Sequence, residues 1–220
     1  MKHFPLVELA DNVFQFPATK KPFSCDIVFI KTSERTWVFD VGCSKANADA
    51  INAMESECGN KTVVISHFHP DHILNLPRIK CDEVLVSKYT KKYTFRGTVV
   101  TENLHFDDGV SIIQMPSSHA KGCLVLTYGD FAFMGDGTYC KDKLGHHLYD
   151  ANLLAQEIEV IKSLPCKYVC LSHDANFVQK KEDVLALHEK IYARRQKDES
   201  YISVDDFFND DGSVKSDYTI

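Results

Sequence analysis

The sequence is short of the features that classify a protein most quickly. No run approaches the 18 apolar residues of a membrane-crossing helix, so no membrane partner is expected. The opening stretch MKHFPLVELADNVFQF has no apolar h-region and carries Glu8 and Asp11; no secretory leader is read there, and a cytoplasmic location is expected. Basic residues are outnumbered, 25 Lys and Arg against 31 Asp and Glu, for a net charge of −6. That balance argues against nucleic acid as an obligate partner, because phosphate binding favours a basic surface. The local basic stretch KYTKKYTFR, 88–96, reads as the solvated face of a short helix and turn. Cysteine is plentiful but not grouped: the eight, at 25, 43, 58, 81, 123, 140, 166 and 170, are spread singly. Cys166 and Cys170 have no second pair to make a zinc ribbon, and reduced thiols fit better than a disulfide framework. Internal repeats, low-complexity linkers and a Gly-rich phosphate loop are also missing. FFNDDGSV is no calcium loop, since Gly212 in sixth place would put Phe207 first and Tyr218 twelfth, and neither can ligate as required. Asp211-Gly212 reads instead as a turn.

What is present is an ordinary globular composition, 44% apolar and 25% charged, in 220 residues. The simplest organisation is one domain, 1–220, with 199–220 as an acidic C-terminal extension. NVFQFP, CDIVFIKT and RTWVFDVG read as early strands. KANADAINAMESEC, 45–58, has a helical pattern, with Ala46, Ala50, Ile51 and Met54 on one face and Gly59 as its stop. Strands follow at 61–66, 82–87 and three times between 110 and 136, the last two joined by a Gly-Asp turn. YDANLLAQEIEVIKSLP, 149–165, is the strongest helix, capped by Asp150 and ended by Pro165. A strand at 168–173 and a helix at 181–196 complete a mixed α/β chain.

The chemistry concentrates at strand ends. In VVISHFHPDH an apolar run ends in His67, His69, Asp71 and His72. On an extended backbone His67 and His69 face the same way. Pro70 then bends the chain so that Asp71 and His72 open a short helix. The first two side chains can hold one metal while the next two approach another, and imidazole and carboxylate are ligands that zinc takes. Later apolar runs end in His119, Asp136 and His173, where an α/β sheet gathers its site. His3, His105 and His188 match no motif and read as packing or loop histidines. His146 and His147 read as part of a surface loop.

H-x-H-x-D-H followed by His, Asp and His, with Asp40 after the early strand WVF, resembles the metallo-β-lactamase superfamily over about residues 24–176. The resemblance implies an αβ/βα four-layer sandwich of two mixed β-sheets with helices on the outer faces. It assigns His67, His69 and His119 to one metal and Asp71, His72 and His173 to a second. Asp136 would bridge the two, and Asp40 would support the ligand loops without binding metal. The implied cofactors are two zinc ions, with iron or manganese as alternatives. The implied chemistry is hydrolysis of a small ester, thioester or lactone by a hydroxide shared between the metals, with Asp71 orienting it and handling its proton. Tyr139, three residues after Asp136, stands where lactonases of this family carry a tyrosine, and resembles an oxyanion donor.

This chain departs from parts of the family. Asp136 replaces the bridging cysteine of many secreted β-lactamases. Ile73-Leu74-Asn75 stands where Gly-Gly is usual. No C-terminal helical domain of the glyoxalase II kind and no inserted second domain are expected. Competing expectations are a phosphodiesterase on a small nucleotide or phosphoester, a non-haem iron oxidoreductase, and a metal-binding module without turnover. The expected partner is a small molecule, in a pocket walled by Ala18–Cys25, Phe95–Gly97 and Tyr139–Tyr149. The acidic C-terminal stretch also offers a surface for a homodimer.

Overall fold

A computed structural model describes residues 4–54 and 59–209. In chain order the first half contains β1 (Val7–Ala10), β2 (Val13–Phe16), β3 (Thr19–Lys20), β4 (Phe23–Ser24), β5 (Ile27–Lys31), β6 (Thr36–Phe39), α1 (Lys45–Ala53), β7 (Lys61–Val64), α2 (Pro70–Ile73), β8 (Glu83–Val86) and β9 (Thr98–Val99). The second half contains β10 (Leu104–His105), β11 (Ser111–Met115), β12 (Cys123–Tyr128), β13 (Phe131–Gly135), β14 (Lys141–Lys143), β15 (His146–Asp150), α3 (Ala151–Ser163), β16 (Tyr168–Leu171), β17 (Val178–Lys180), α4 (Lys181–Tyr192) and β18 (Tyr201–Ser203).

Two large mixed sheets result. One has the order β1-β2-β5-β6-β7-β8-β9, the other β10-β11-β12-β13-β16-β17. In the first, β6, β7, β8 and β9 run parallel; in the second, β13 and β16 do. Side chains that alternate along a strand must serve both faces, and the central strands are apolar on both. Ile27 and Phe29 of β5 join Val38, Val63 and the α1 residues Ala48 and Ile51 in one core. Their neighbours Val28 and Ile30 join Trp37, Val64, Ile112, Leu124 and Phe133 in a second core, between the sheets. Val125, Ala132 and Val169 join Ile161, Leu164 and Val184 from the helical side in a third. Helix, sheet, sheet, helix is therefore the layer order, as the four-layer sandwich requires.

Two local expectations need correction. Ala46 is exposed, and Asn47 is buried in its place. The reason is a cap: Ser44 accepts from the Asn47 N–H, and the Asn47 side chain accepts from the Ser44 N–H. The helix closes at Ala53, before Gly59; residues 55–58, with Cys58, lie outside the described residues. His146 and His147 lie not in a loop but in β15, which pairs with β14 on one side and β18 on the other. The described part of the C-terminal stretch thus folds back on its own chain, burying Ile202, Val204 and Phe207 against α3 and α4. The Asp211-Gly212 turn lies outside the described residues.

Candidate metal centre

The parallel strands β6 and β7 and the parallel pair β13 and β16 end on the same side of the molecule. The loops that leave them carry Asp40, His67 to His72, Asp136 and His173. Asp40 turns there with φ +62, and α2 opens at Pro70, which fits the first helical turn. His119, on the loop between β11 and β12, reaches the same point.

The side chains form two overlapping groups. The ligand atoms of His67, His69, His119 and Asp136 all lie within 4.8 Å of one another, as do those of Asp71, His72, Asp136 and His173. Asp136 is common to both: its Oδ2 is 3.4 Å from His119 Nε2 and 3.4 Å from His72 Nε2. On the second side His173 Nε2 is 2.9 Å from Asp71 Oδ2. On the first, His119 Nε2 and His69 Nδ1 are 3.0 Å apart. All seven sequence-expected ligands are thus brought together, in the grouping the resemblance implies.

The ring nitrogens are set from behind. The buried Asp40 carboxylate accepts from the Ser66 N–H at 2.8 Å, the Ser66 hydroxyl at 2.7 Å and His72 Nδ1 at 2.7 Å. Ser66 Oγ is in turn 2.9 Å from His67 Nδ1. Both histidines therefore present Nε2 to the centre, a pattern in which a carboxylate orients a metal-binding imidazole. Gly135 lets this happen: a Cβ there would lie 2.7 Å from Ser66 Oγ, and its φ is +55.

His67 Nε2, His72 Nε2 and Asp136 Oδ1 are buried with no hydrogen-bond partner among the described residues. Unpaired buried polar atoms are costly, and three of them aimed at one point fit divalent cations. The titration pattern agrees. Burial, reinforced by neighbouring imidazoles, pushes His67 well below the usual histidine range. Burial also lowers His69 and His119, although Asp136 opposes it. Burial opposes ionisation of Asp71 and Asp136, but adjacent imidazoles outweigh it and hold both below the usual carboxylate range. Burial likewise opposes a charge on His72, but the anionic groups around it, Asp40 and Asp136 among them, reverse the sign and raise it well above the usual value. His67, His69 and His119, favoured neutral, with ionised Asp71 and Asp136 fit the donor set zinc or iron takes, whereas His72 must give up a proton to join it.

Asp26, just beyond the expected Ala18–Cys25 wall, had no sequence signal. Asp26 accepts from the His173 N–H at 3.0 Å, the Ser172 hydroxyl at 3.2 Å and Gln15 Nε2 at 2.6 Å. It thereby holds His173 at φ +65, a strained backbone region of the kind found at functional sites. Phe23 stacks on the His173 ring at 4.4 Å. Cys25 lies behind His72 with Asp40; burial pushes its thiol up to about 12, so it packs there as a neutral group.

Tyr139 lies beside His119, ring centroids 6.2 Å apart, and its hydroxyl donates to the Ser172 carbonyl at 2.5 Å. A role as oxyanion donor requires that bond to break. Tyr139 also borders a cavity of about 510 Å³ that His119 and His173 share. Of the three expected pocket walls, Tyr139–Tyr149 lines this cavity, and Ala18–Cys25 supplies Phe23 at the metal centre. Phe95–Gly97 contributes nothing to it: Phe95 is 96% exposed, and Arg96 donates to the carbonyls of Leu76 and Ile79, beside Cys81 and Asp82.

No family model and no curated protein matches the chain. Solved structures do. A metallo-β-lactamase from Hirschia baltica superposes with a TM-score of 0.62 at 14% identity, over 89% of this chain and 100% of that one. A flavoprotein from Thermotoga maritima gives 0.65 at 15% identity, over 90% and 63%. A chemotaxis sensor studied as its peroxy diiron species gives 0.62 at 15% identity, over 83% and 93%.

Proposed function

We propose that this chain, a protein of metallo-β-lactamase fold, is a metal-dependent hydrolase that binds two cations and acts on a small ester, thioester or lactone. The observation that carries the reading is the position of Asp136 between two donor groups, with His67, His69 and His119 on one side and Asp71, His72 and His173 on the other. Divalent cations held there would supply Lewis acidity and would lower the pKa of a bound water to about 7. Asp71, whose carboxylate lies beside His72 and His173, would orient the attacking water and take up its proton. Asp40 and Ser66 keep His67 and His72 in the tautomer that offers Nε2 inward. Asp26 fixes the His173 backbone, and Phe23 covers the outer face of its ring.

A panel of chromogenic esters, thioesters, lactones and phosphodiesters, assayed with and without chelator, tests the reading. Turnover of a carbonyl substrate that chelator abolishes and zinc restores is expected; activity indifferent to chelator would refute it. A diiron redox centre is the second reading, supported by the flavoprotein and diiron sensor among the fold neighbours. Metal analysis of protein purified without added metal separates the two, with zinc expected for hydrolysis and iron for redox chemistry.

A further inference from the structure

Four exposed apolar side chains gather around the donor loops. Phe23, 58% exposed, stacks on the His173 ring. Leu74, also 58% exposed, follows α2, the helix that carries Asp71 and His72. Tyr93, 60% exposed, stacks on Phe68 at 4.8 Å, and Phe68 meets the His69 ring edge-on at 5.2 Å. Phe95 lies two residues on, almost wholly in solvent, and Arg96 ties its loop to the Leu76 and Ile79 carbonyls just past α2. Asp71, His119 and His173 keep some exposure themselves, so the metal centre has an open side that these groups border.

The same segments are basic. Residues 12–25 and 84–100 hold Lys20, Lys21, Lys88, Lys91, Lys92 and Arg96 and no Asp or Glu, in a chain of net charge −6. Lys88 and Lys92 set their ammonium groups over one ring, that of Tyr89, at 5.2 and 5.5 Å from its centroid. Lys20, Lys21, Lys88 and Lys92 are exposed, and no carboxylate among the described residues pairs with them. Acid collects instead in the C-terminal wall, the segment whose Phe207 and Phe208 border the cavity and which carries Asp205 and Asp206. Apolar tips interleaved with lysines match a bilayer with anionic headgroups: the tips enter between the headgroups while the ammonium groups stay level with them. A small molecule at the donors would leave Leu74 and Phe95 in water. A second copy would meet these lysines with its acidic wall, an unlike-face contact that propagates rather than closing into a dimer.

We propose that residues 20–23, Leu74 and residues 88–96 dock the chain on a membrane surface rich in anionic phospholipid, with the open side of the metal centre against the headgroups. Among the described residues no helix is long and apolar enough to cross a bilayer, so the contact is peripheral. It stands apart from the hydrolase reading and is tested without turnover. The full chain is pelleted with vesicles of phosphatidylcholine alone, or with about 30% phosphatidylserine, at about 0.1 M and about 0.5 M salt. Binding to the anionic vesicles that the higher salt weakens is expected. Phe95→Trp adds an exposed indole to a chain whose single tryptophan, Trp37, is buried; its emission should move to the blue on the anionic vesicles. Lys88→Gln with Lys92→Gln should weaken binding about 25-fold, at about fivefold for each lysine. Phe95→Ser should weaken it about tenfold or more, as loss of a buried phenyl predicts. Both variants should keep the far-ultraviolet dichroism and the zinc stoichiometry of the parent. No pelleting with either vesicle, an indole emission that vesicles leave unchanged, or pelleting untouched by the paired lysine change overturns the docking surface. Sedimentation velocity without lipid covers the other occupant: self-association that the lysine change abolishes would give this face to a second copy and overturn the proposal as well.

Discussion

Asp40 decides how two of the seven donor side chains are aimed. It is fully buried, and its two oxygens take three hydrogen bonds, from Ser66 twice and from His72. Replacing it with alanine leaves those donors buried and unpaired. Asp40→Ala should therefore cost about 3 kcal/mol in urea unfolding and weaken metal binding by about 10- to 100-fold in a chelator competition. His72 gives a pH signature. In the metal-free protein the anionic groups around it favour its protonated form, so metal must displace that proton. Zinc affinity should then rise with pH, by about tenfold per unit for one proton released, and level off above the His72 pKa; an affinity flat from pH 6 to 8 would contradict this. The seven donors were legible because each follows an apolar run whose strand direction gathers strand ends. Asp26 and Ser66 were not, because their work depends on contacts such as the Asp26–Ser172 pair, 146 residues apart in the chain. Tyr139 was legible as a position near the centre, but the partner of its hydroxyl was not.

At the level of elements, the cap of α3 was readable and is present: Asp150 accepts from the N–H groups of Asn152 and Leu153, both at 3.0 Å. Asp150→Ala should lower stability by about 1 kcal/mol, measured as a shift in denaturant midpoint at constant slope. The facing helix meets α3 at a buried pair, His188 Nε2 to Glu157 Oε1 at 3.1 Å, where burial raises Glu157 above the usual carboxylate range. Burial opposes a charge on His188, but the Glu157 carboxylate and two backbone carbonyls raise its pKa above the usual value. Removing the imidazole strands Glu157 in the interior, so His188→Ala should cost about 3–5 kcal/mol, with Glu157→Gln in the same chain recovering part of it. The sequence left His188 as a packing residue, since a lone histidine on a helix carries no sign of its partner. The β14–β15 hairpin escaped notice for another reason. KDKLGHHLYD alternates too weakly to read as strands, and its pairing comes from β18, more than fifty residues later.

For the molecule as a whole, strands apolar on both faces, such as β5, fit four layers, but the sandwich was expected from the family resemblance rather than from these residues. Which strand pairs with which was not legible in the residues. The C-terminal wall was not legible, because its acidic composition hid Ile202, Val204 and Phe207, which are buried. Phe207→Ala should cost about 3 kcal/mol and leave zinc stoichiometry as in the parent, since the wall stands apart from the donor groups. The account as a whole depends on Asp136 standing between two cations. A crystal of zinc-soaked protein, measured at the zinc absorption edge, tests this most directly. Two anomalous peaks are expected, one on each side of the Asp136 carboxylate, each about 2.0–2.1 Å from histidine nitrogens. A single peak away from Asp136, or none at saturating zinc, would contradict it.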